Sequence, residues 1–258
     1  MNLMVGNDIK YIDFHCHCDL LPGFDNGSLK LDREVAAIAV TTTPLAWPKN
    51  VKESKRITGM IPALGMHPQL IGSRFNDHYS FSKYIQDASI VGEIGLDGSA
   101  AFKESLAAQE TVLSEILELC AENSKTKVLS IHSLRAETKL IRLLQQKIST
   151  NSLTPVMHWF TGSATQASKL LDIGAKFSFN HKMIRTKNGQ NLLSHIPKEA
   201  VLIETDLPFT NKTFDSVLHK TLLKETTVKI ATHLNRHHEE FSDSILQNST
   251  EILATTFK

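Results

Sequence analysis

The sequence predicts an α/β fold, a TIM-like (β/α)8 barrel built as a single hydrolase domain over residues 1–258, and three observations carry that expectation. Eight short apolar runs recur along the chain, most of them are followed by a longer segment of helical periodicity, and 258 residues is a length at which a closed parallel barrel is commonly built. The composition agrees: 41% hydrophobic and 21% charged residues suit a globular chain with a substantial core.

The apolar runs fall at 11–14, 36–42, 60–65, 90–94, 128–131, 155–157, 175–179 and 200–203. Their Val, Ile and Phe content and their shortness suit parallel strands buried on both faces. Between them lie helix candidates. Segment 103–123 repeats apolar residues at Leu106, Val112, Leu113, Ile116, Leu117 and Cys120, an amphipathic pattern. Segments 136–147, 164–171, 188–195 and 215–234 read similarly, with Thr161-Gly162-Ser163 as a cap before Ala164, and 241–257 adds a terminal helix. A doubly wound open sheet uses the same alternation and stands as the structural alternative.

No low-complexity linker, Pro/Gly/Ser-rich hinge or fixed-period repeat interrupts the chain. Residues 1–8 carry neither a basic n-region nor an apolar h-region, so no signal peptide is expected, and no apolar run approaches the roughly 18 residues that span a bilayer. Three cysteines, an odd number, argue against a disulfide framework and for a reducing compartment, the cytoplasm by default; Cys16, Cys18 and Cys120 read as small buried hydrophobes. Lys plus Arg total 28 against 27 for Asp plus Glu, so overall charge gives no sign of nucleic-acid binding, although a local basic rim is compatible with it.

Position is the informative feature of the polar residues. His15 and His17 follow the first run, Glu93 lies in the fourth, His132 ends the fifth, His158 ends the sixth and Asp206 closes the eighth. In a barrel the C-terminal strand ends converge on one face, where such enzymes keep their active sites. His15-Cys16-His17 has strand spacing, which sends both imidazoles to one side, able to grip a cation, and both neighbouring cysteines to the other. Asp13, on the same face by alternation, could orient a ligand or simply start the strand. Glu93 sits in an apolar strand between Gly92 and Gly95. A buried carboxylate needs a cation, a buried Lys or Arg, or dense hydrogen bonding, and those glycines would let a ligand approach the backbone. Asp206 could bind a metal, take a proton from water, or both; Glu204 is expected to face the other way. His67 reads as a substrate-phosphate or outer residue or as a loop cap. Lys182, Arg185 and Lys187 form either a solvated loop or a phosphate-holding rim, and Trp159 and Phe160 either stack on a base or pack in the core. There is no Gly-x-Ser-x-Gly elbow, phosphate-binding Gly-rich loop or Cys-x-x-Cys pair.

From about residue 11 to 257 the chain resembles the TatD-type metal-dependent deoxyribonucleases. The likeness rests on Asp13-Phe14-His15-Cys16-His17, Gly65-Met66-His67-Pro68, Gly92-Glu93-Ile94-Gly95-Leu96-Asp97, Ile131-His132-Ser133, His158-Trp159-Phe160-Thr161-Gly162-Ser163, Asn180-His181-Lys182 and Glu204-Thr205-Asp206-Leu207-Pro208. It implies a TIM-like barrel hydrolysing DNA phosphodiesters, commonly as a 3′-to-5′ exonuclease on single-stranded ends. It also implies two divalent ions (Zn, Mn or Mg): His15, His17 and Asp206 hold one, His132 and His158 the other, Glu93 bridges, and Glu93 and Asp206 are the catalytic carboxylates. His67, Lys182 and Arg185 would contact substrate. The Gly95–Ser99 stretch is similar to the QatD branch, the TatD-like component of an anti-phage set, which implies other Qat-system proteins as partners. Two departures bear on substrate contacts: Leu134, with Arg135 beside it, stands where the family usually has Arg, and the Arg-Asn-Glu-Pro-like segment after Phe209 is missing. An amidohydrolase acting on a small amide or ester, and a non-catalytic metal-binding subunit of a defence complex, are the alternatives.

Overall fold

Each of the eight apolar runs lies in or overlaps a parallel strand of the computed structural model, which describes residues 8–122, 125–148 and 152–256. Residues 1–7, which carry most of the leader expectation, and the ends of two expected helices at Asn123 and Phe257 lie outside the described residues. The strands are β1 (Tyr11–Cys16), β2 (Val35–Ala39), β3 (Met60–Pro62), β4 (Ile90–Asp97), β5 (Lys127–Leu134), β6 (Leu153–His158), β7 (Lys176–Phe179) and β8 (Val201–Ile203). They form one sheet in the order β3-β2-β1-β8-β7-β6-β5-β4. A parallel bridge between Leu64 and Val91 joins its two ends, where Gly92 N–H donates to Leu64 O at 2.8 Å and Leu64 N–H to Ile90 O at 3.0 Å. The sheet is therefore a closed barrel and not a doubly wound open sheet.

The barrel lumen is packed, not hollow. Ile12 and Phe14 from β1, Ile38 from β2, Val128 from β5, Val156 from β6 and Leu202 from β8 meet in one buried cluster, completed from below by Ile252 and Leu253. Those two residues lie on α9 (His238–Thr256), the terminal helix. Outward-facing residues such as Ile94, Ile131 and Met157 pack against the surrounding helices in a second, larger cluster.

Those helices are α1 (Trp47–Ser54), α2 (Ile71–Arg74), α3 (Phe81–Tyr84), α4 (Leu106–Glu122), α5 (Glu137–Lys147), α6 (Ala164–Leu171), α7 (Lys187–His195) and α8 (Ser216–His233). Ser163 caps α6 in a reciprocal capping box with Gln166, as the sequence indicates. Helix α1 was not among the helix candidates, and its buried face is largely polar: Asn50 and Glu53 are buried, and Asn50 Nδ2 donates to Ala39 O at 2.7 Å. No described helix is long and apolar enough to cross a membrane.

Candidate metal centre

Bulges decide which side chains reach the mouth of the barrel. The β1–β2 register shifts between Asp13 and Cys16, and the β4–β5 register shifts between Val91 and Ile94. Phe14 and His15 consequently both turn inward. Asp13 points outward instead, accepting from His219 Nε2 on α8 at 2.7 Å, from Thr205 N–H and from the Thr205 hydroxyl. This corrects the expectation that Asp13 shares the ligand face; the ring of His15 is oriented by Ser130 Oγ, 2.7 Å from its Nδ1. Cys16 and Cys18 face away into an apolar cluster as free thiols, and Cys120 is likewise free and buried.

The six residues singled out by position converge. Glu93 Oε2 lies 3.3 Å from His15 Nε2 and 3.2 Å from His17 Nε2, while its Oε1 lies 2.9 Å from His132 Nδ1 and 3.9 Å from His158 Nε2. Asp206 Oδ1 is 3.6 Å from His17 Nε2 and 3.8 Å from His15 Nε2. All six are buried or nearly so. Among the described residues, three sets of donors at this mouth lie close enough to share an ion: His15, His17 and Glu93; His15, His158 and Asp206; and His67, Glu93 and His132. The imidazoles of His15 and His158 stack at 3.5 Å.

Hydrogen bonds on the far side of each ring fix which nitrogen offers a lone pair to the centre. His158 Nδ1 meets Glu204 Oε2 at 2.9 Å and His132 Nε2 meets Asp97 Oδ2 at 3.3 Å. A carboxylate only accepts, so these nitrogens carry hydrogen, and His158 Nε2 and His132 Nδ1 are left to serve as ligands. His67 is built the other way. Its Nδ1 accepts from the Gln69 amide at 3.2 Å, which puts the proton on Nε2, 3.2 Å from Glu93 Oε1. His67 therefore faces the centre as a hydrogen-bond donor. His15 Nε2 and His17 Nε2 stand 3.3 Å apart, a spacing at which two lone pairs repel unless a proton or cation lies between them.

Electrostatics point the same way. Burial pushes the His158 and His132 imidazoles down, but the carboxylates around them prevail: Glu204 chiefly holds His158 up at about 10, and Asp97 with Glu93 holds His132 up at about 9. Burial raises Asp206 to about 7 against the pull of His158 and His17. Burial would raise Glu93 too, yet His67 and His15 keep it well below the ordinary carboxylate range. Buried carboxylates thus recruit protonated histidines here for want of other positive charge. Four imidazoles and two carboxylates around one point suit divalent cations such as Zn, Mn or Mg.

A cavity of about 420 Å³ opens above the cluster, reaching His17, Glu93 and Asp206 and bounded by Leu134, Trp159 and Phe209 among others. Of the residues expected to meet substrate, His67 lines it. Lys182 stands at its rim, with Nζ 5.9 Å from the Trp159 ring centroid and 3.5 Å from Phe209 O, and Arg185 is exposed in a short turn beyond it. Trp159 is half-buried at the cavity, whereas Phe160 is core, packed on Phe177. Two backbone positions at the site are left-handed without being glycine, Trp159 at φ +39° and Asp206 at φ +53°.

Two further expectations need correction, and one residue was missed. Glu204 faces inward: with Leu202 in the lumen, alternation along β8 brings Glu204 to His158, Ser178 and Asn180. Gly92 and Gly95 make room for protein, not for a ligand. A Cβ at Gly92 would lie 2.6 Å from the Ser130 side chain, and one at Gly95, where φ is +142°, would lie 2.1 Å from His132 O. The residue missed is Asp97, which is buried and accepts from His132, from Gln69 Nε2 at 2.7 Å and from Ser99 N–H at 2.8 Å. Its place four residues beyond Glu93 on the same strand was the available signal.

The sequence profile of the family described as TatD related DNase matches residues 12–254. The chain belongs to that family. Among its TatD relatives, human "Deoxyribonuclease TATDN3" is 28% identical over 222 residues, spanning 78% of this chain and 78% of its own length. "Uncharacterized metal-dependent hydrolase YjjV" of Escherichia coli K12 is 26% identical over 212 residues, 77% of this chain and 80% of its own. The crystal structure of E. coli YjjV, a TatD homolog, superposes with a TM-score of 0.82 at 21% identity, covering 95% of this chain and 98% of that one. TatD membership makes the chain a metal-dependent hydrolase.

Proposed function

We propose that this TatD-family chain, acting as one domain, hydrolyses DNA phosphodiester bonds as a 3′-to-5′ exonuclease on single-stranded ends, using two divalent cations. The carrying observation is that the two oxygens of Glu93 face different donor sets, Oε2 toward His15 and His17 and Oε1 toward His132 and His158. His15, His17 and Asp206 would hold one cation and His132 and His158 the other, with Glu93 shared between them. Divalent cations at these donors supply a water of lowered pKa and neutralise charge on the phosphoryl oxygens.

The remaining work falls to side chains. Asp206, at the cavity, accepts the proton of the attacking water. His67 donates from Nε2 to a phosphoryl oxygen, and Lys182 and Arg185 take a neighbouring phosphate at the rim. Asp97 and Glu204 hold His132 and His158 in their tautomers. The relative named deoxyribonuclease supports DNA as substrate. We further place the chain in the cytoplasm and in the QatD branch, with other Qat-system proteins as partners. Support for that branch is the Gly95–Ser99 stretch, which ends β4 and returns Ser99 N–H to Asp97 Oδ1.

End-labelled single-stranded DNA tests the proposal. Stepwise shortening from the 3′ end is expected with Mn, Mg or Zn, abolished by EDTA and by Asp206→Asn in folded protein. Cleavage indifferent to both would contradict it, and turnover of a small amide or ester in place of DNA would favour an amidohydrolase.

A further inference from the structure

Resting on that phosphodiesterase function, we propose that Leu134, Trp159 and Phe209 form a subsite for the nucleobase of the terminal nucleotide. Phe209 is 59% exposed although Leu207 beside it is fully buried, and its ring stands edge-on to His17 at 4.9 Å and 89°. Trp159 stands edge-on to His158 at 6.3 Å and 89°, held at the cavity by its left-handed backbone. His17 and His158 belong to different cation positions, so one aromatic flanks each. A single ammonium ties the two together: Lys182 Nζ lies 5.9 Å from the Trp159 ring centroid and 3.5 Å from Phe209 O.

Leu134 completes the apolar wall, and Ser133 next to it has a buried hydroxyl with no partner among the described residues. Exposed aromatic and aliphatic surface around a charged floor suits a ligand with a phosphate at one end and a flat, π-faced group with polar edges at the other. A nucleobase has that shape, and stacking on aromatic side chains is its usual sequence-tolerant mode of binding. Neither Phe209 nor Leu134 supplies a charge, so the subsite reads the presence of a base and not its phosphate.

Calorimetric titration of the cation-loaded protein with deoxyadenosine 5′-monophosphate and with deoxyribose 5-phosphate tests the assignment. The base-bearing ligand is expected to bind on the order of tenfold more tightly, the scale of one base–aromatic stack. Phe209→Ala and Trp159→Leu should each shrink that ratio severalfold, while Tyr79→Ala, exposed elsewhere, should leave it intact. Equal affinity for the two ligands, or variants that weaken both by the same factor, would overturn the subsite. In parallel, oligonucleotides ending in a normal or an abasic 3′ residue are offered for cleavage. Base preference in binding without any cleavage would retain the subsite and refute the phosphodiesterase function; cleavage without base preference would do the reverse.

Discussion

His132 and His67 stand about equally close to Glu93 Oε1, at 2.9 and 3.2 Å, yet their far-side partners give them opposite chemistry. Asp97 accepts a hydrogen bond from His132 Nε2, and the Gln69 amide donates one to His67 Nδ1. The two residues should therefore separate on measurement. Asp97→Asn is expected to lower cation affinity by about 10- to 100-fold, the usual cost of losing an outer partner of a ligand histidine. His67→Asn should change that affinity by less than about threefold while cutting turnover by on the order of a hundredfold, the scale for a lost donor to developing charge. Calorimetry paired with steady-state rates reads both, and a matching loss of affinity in His67→Asn would make His67 a ligand. The inward-facing candidate ligands were legible from sequence because all but Glu93, which lies within its strand, end or follow an apolar run. Their partners were within reach of the same rule but were not read from it: Glu204 stands two residues from both Leu202 and Asp206, so alternation puts it on their face, and Asp97 stands four residues beyond Glu93.

At the scale of elements, strand ends and amphipathic helices were legible because burial imposes their periods. Helix α1 escaped because it is only 8 residues long and, Trp47 aside, buries polar residues, Asn50 and Glu53 among them. The bulges in β1 and β4 escaped because they break the period-two rule itself; Asp13 was misplaced for that reason. Glycine is the one residue type that marks such close approaches in advance, at Gly65 and Gly95. A Cβ at Gly65 would sit 1.8 Å from Thr41 O, and one at Gly95 2.1 Å from His132 O. Gly95→Ala is expected to cost about 3 kcal/mol or more, the upper range for overpacking, with added backbone strain at φ +142°. Denaturant unfolding reads this as a lowered midpoint. An unchanged midpoint would mean that β4 and β5 have slack at the site.

For the molecule as a whole, the barrel concentrates buried carboxylates at one mouth and leaves protons on His132 and His158 to balance them. Those imidazoles hold their protons up to about 9 and about 10, so at neutral pH cation binding as proposed would expel both. Affinity should accordingly rise as pH increases through neutrality, by about two decades per pH unit for two displaced protons. Asp206, raised to about 7, adds to the proton release below that pH. Titrations in buffers of different ionisation enthalpy count the protons, and uptake without proton release would show that these histidines are not the ligands. Closure was the feature of the whole that periodicity left open, because the Leu64–Val91 bridge that decides it involves one residue outside any strand.

The sharing of one carboxylate between two cation positions is tested most directly by metal stoichiometry in wild-type protein and in Glu93→Gln. Two equivalents of Mn or Zn per chain are expected for the wild type, and loss of tight binding at both positions for the variant, with the fold retained by circular dichroism. A variant that keeps two tightly held ions, or a wild type that binds only one, would contradict a bridging Glu93.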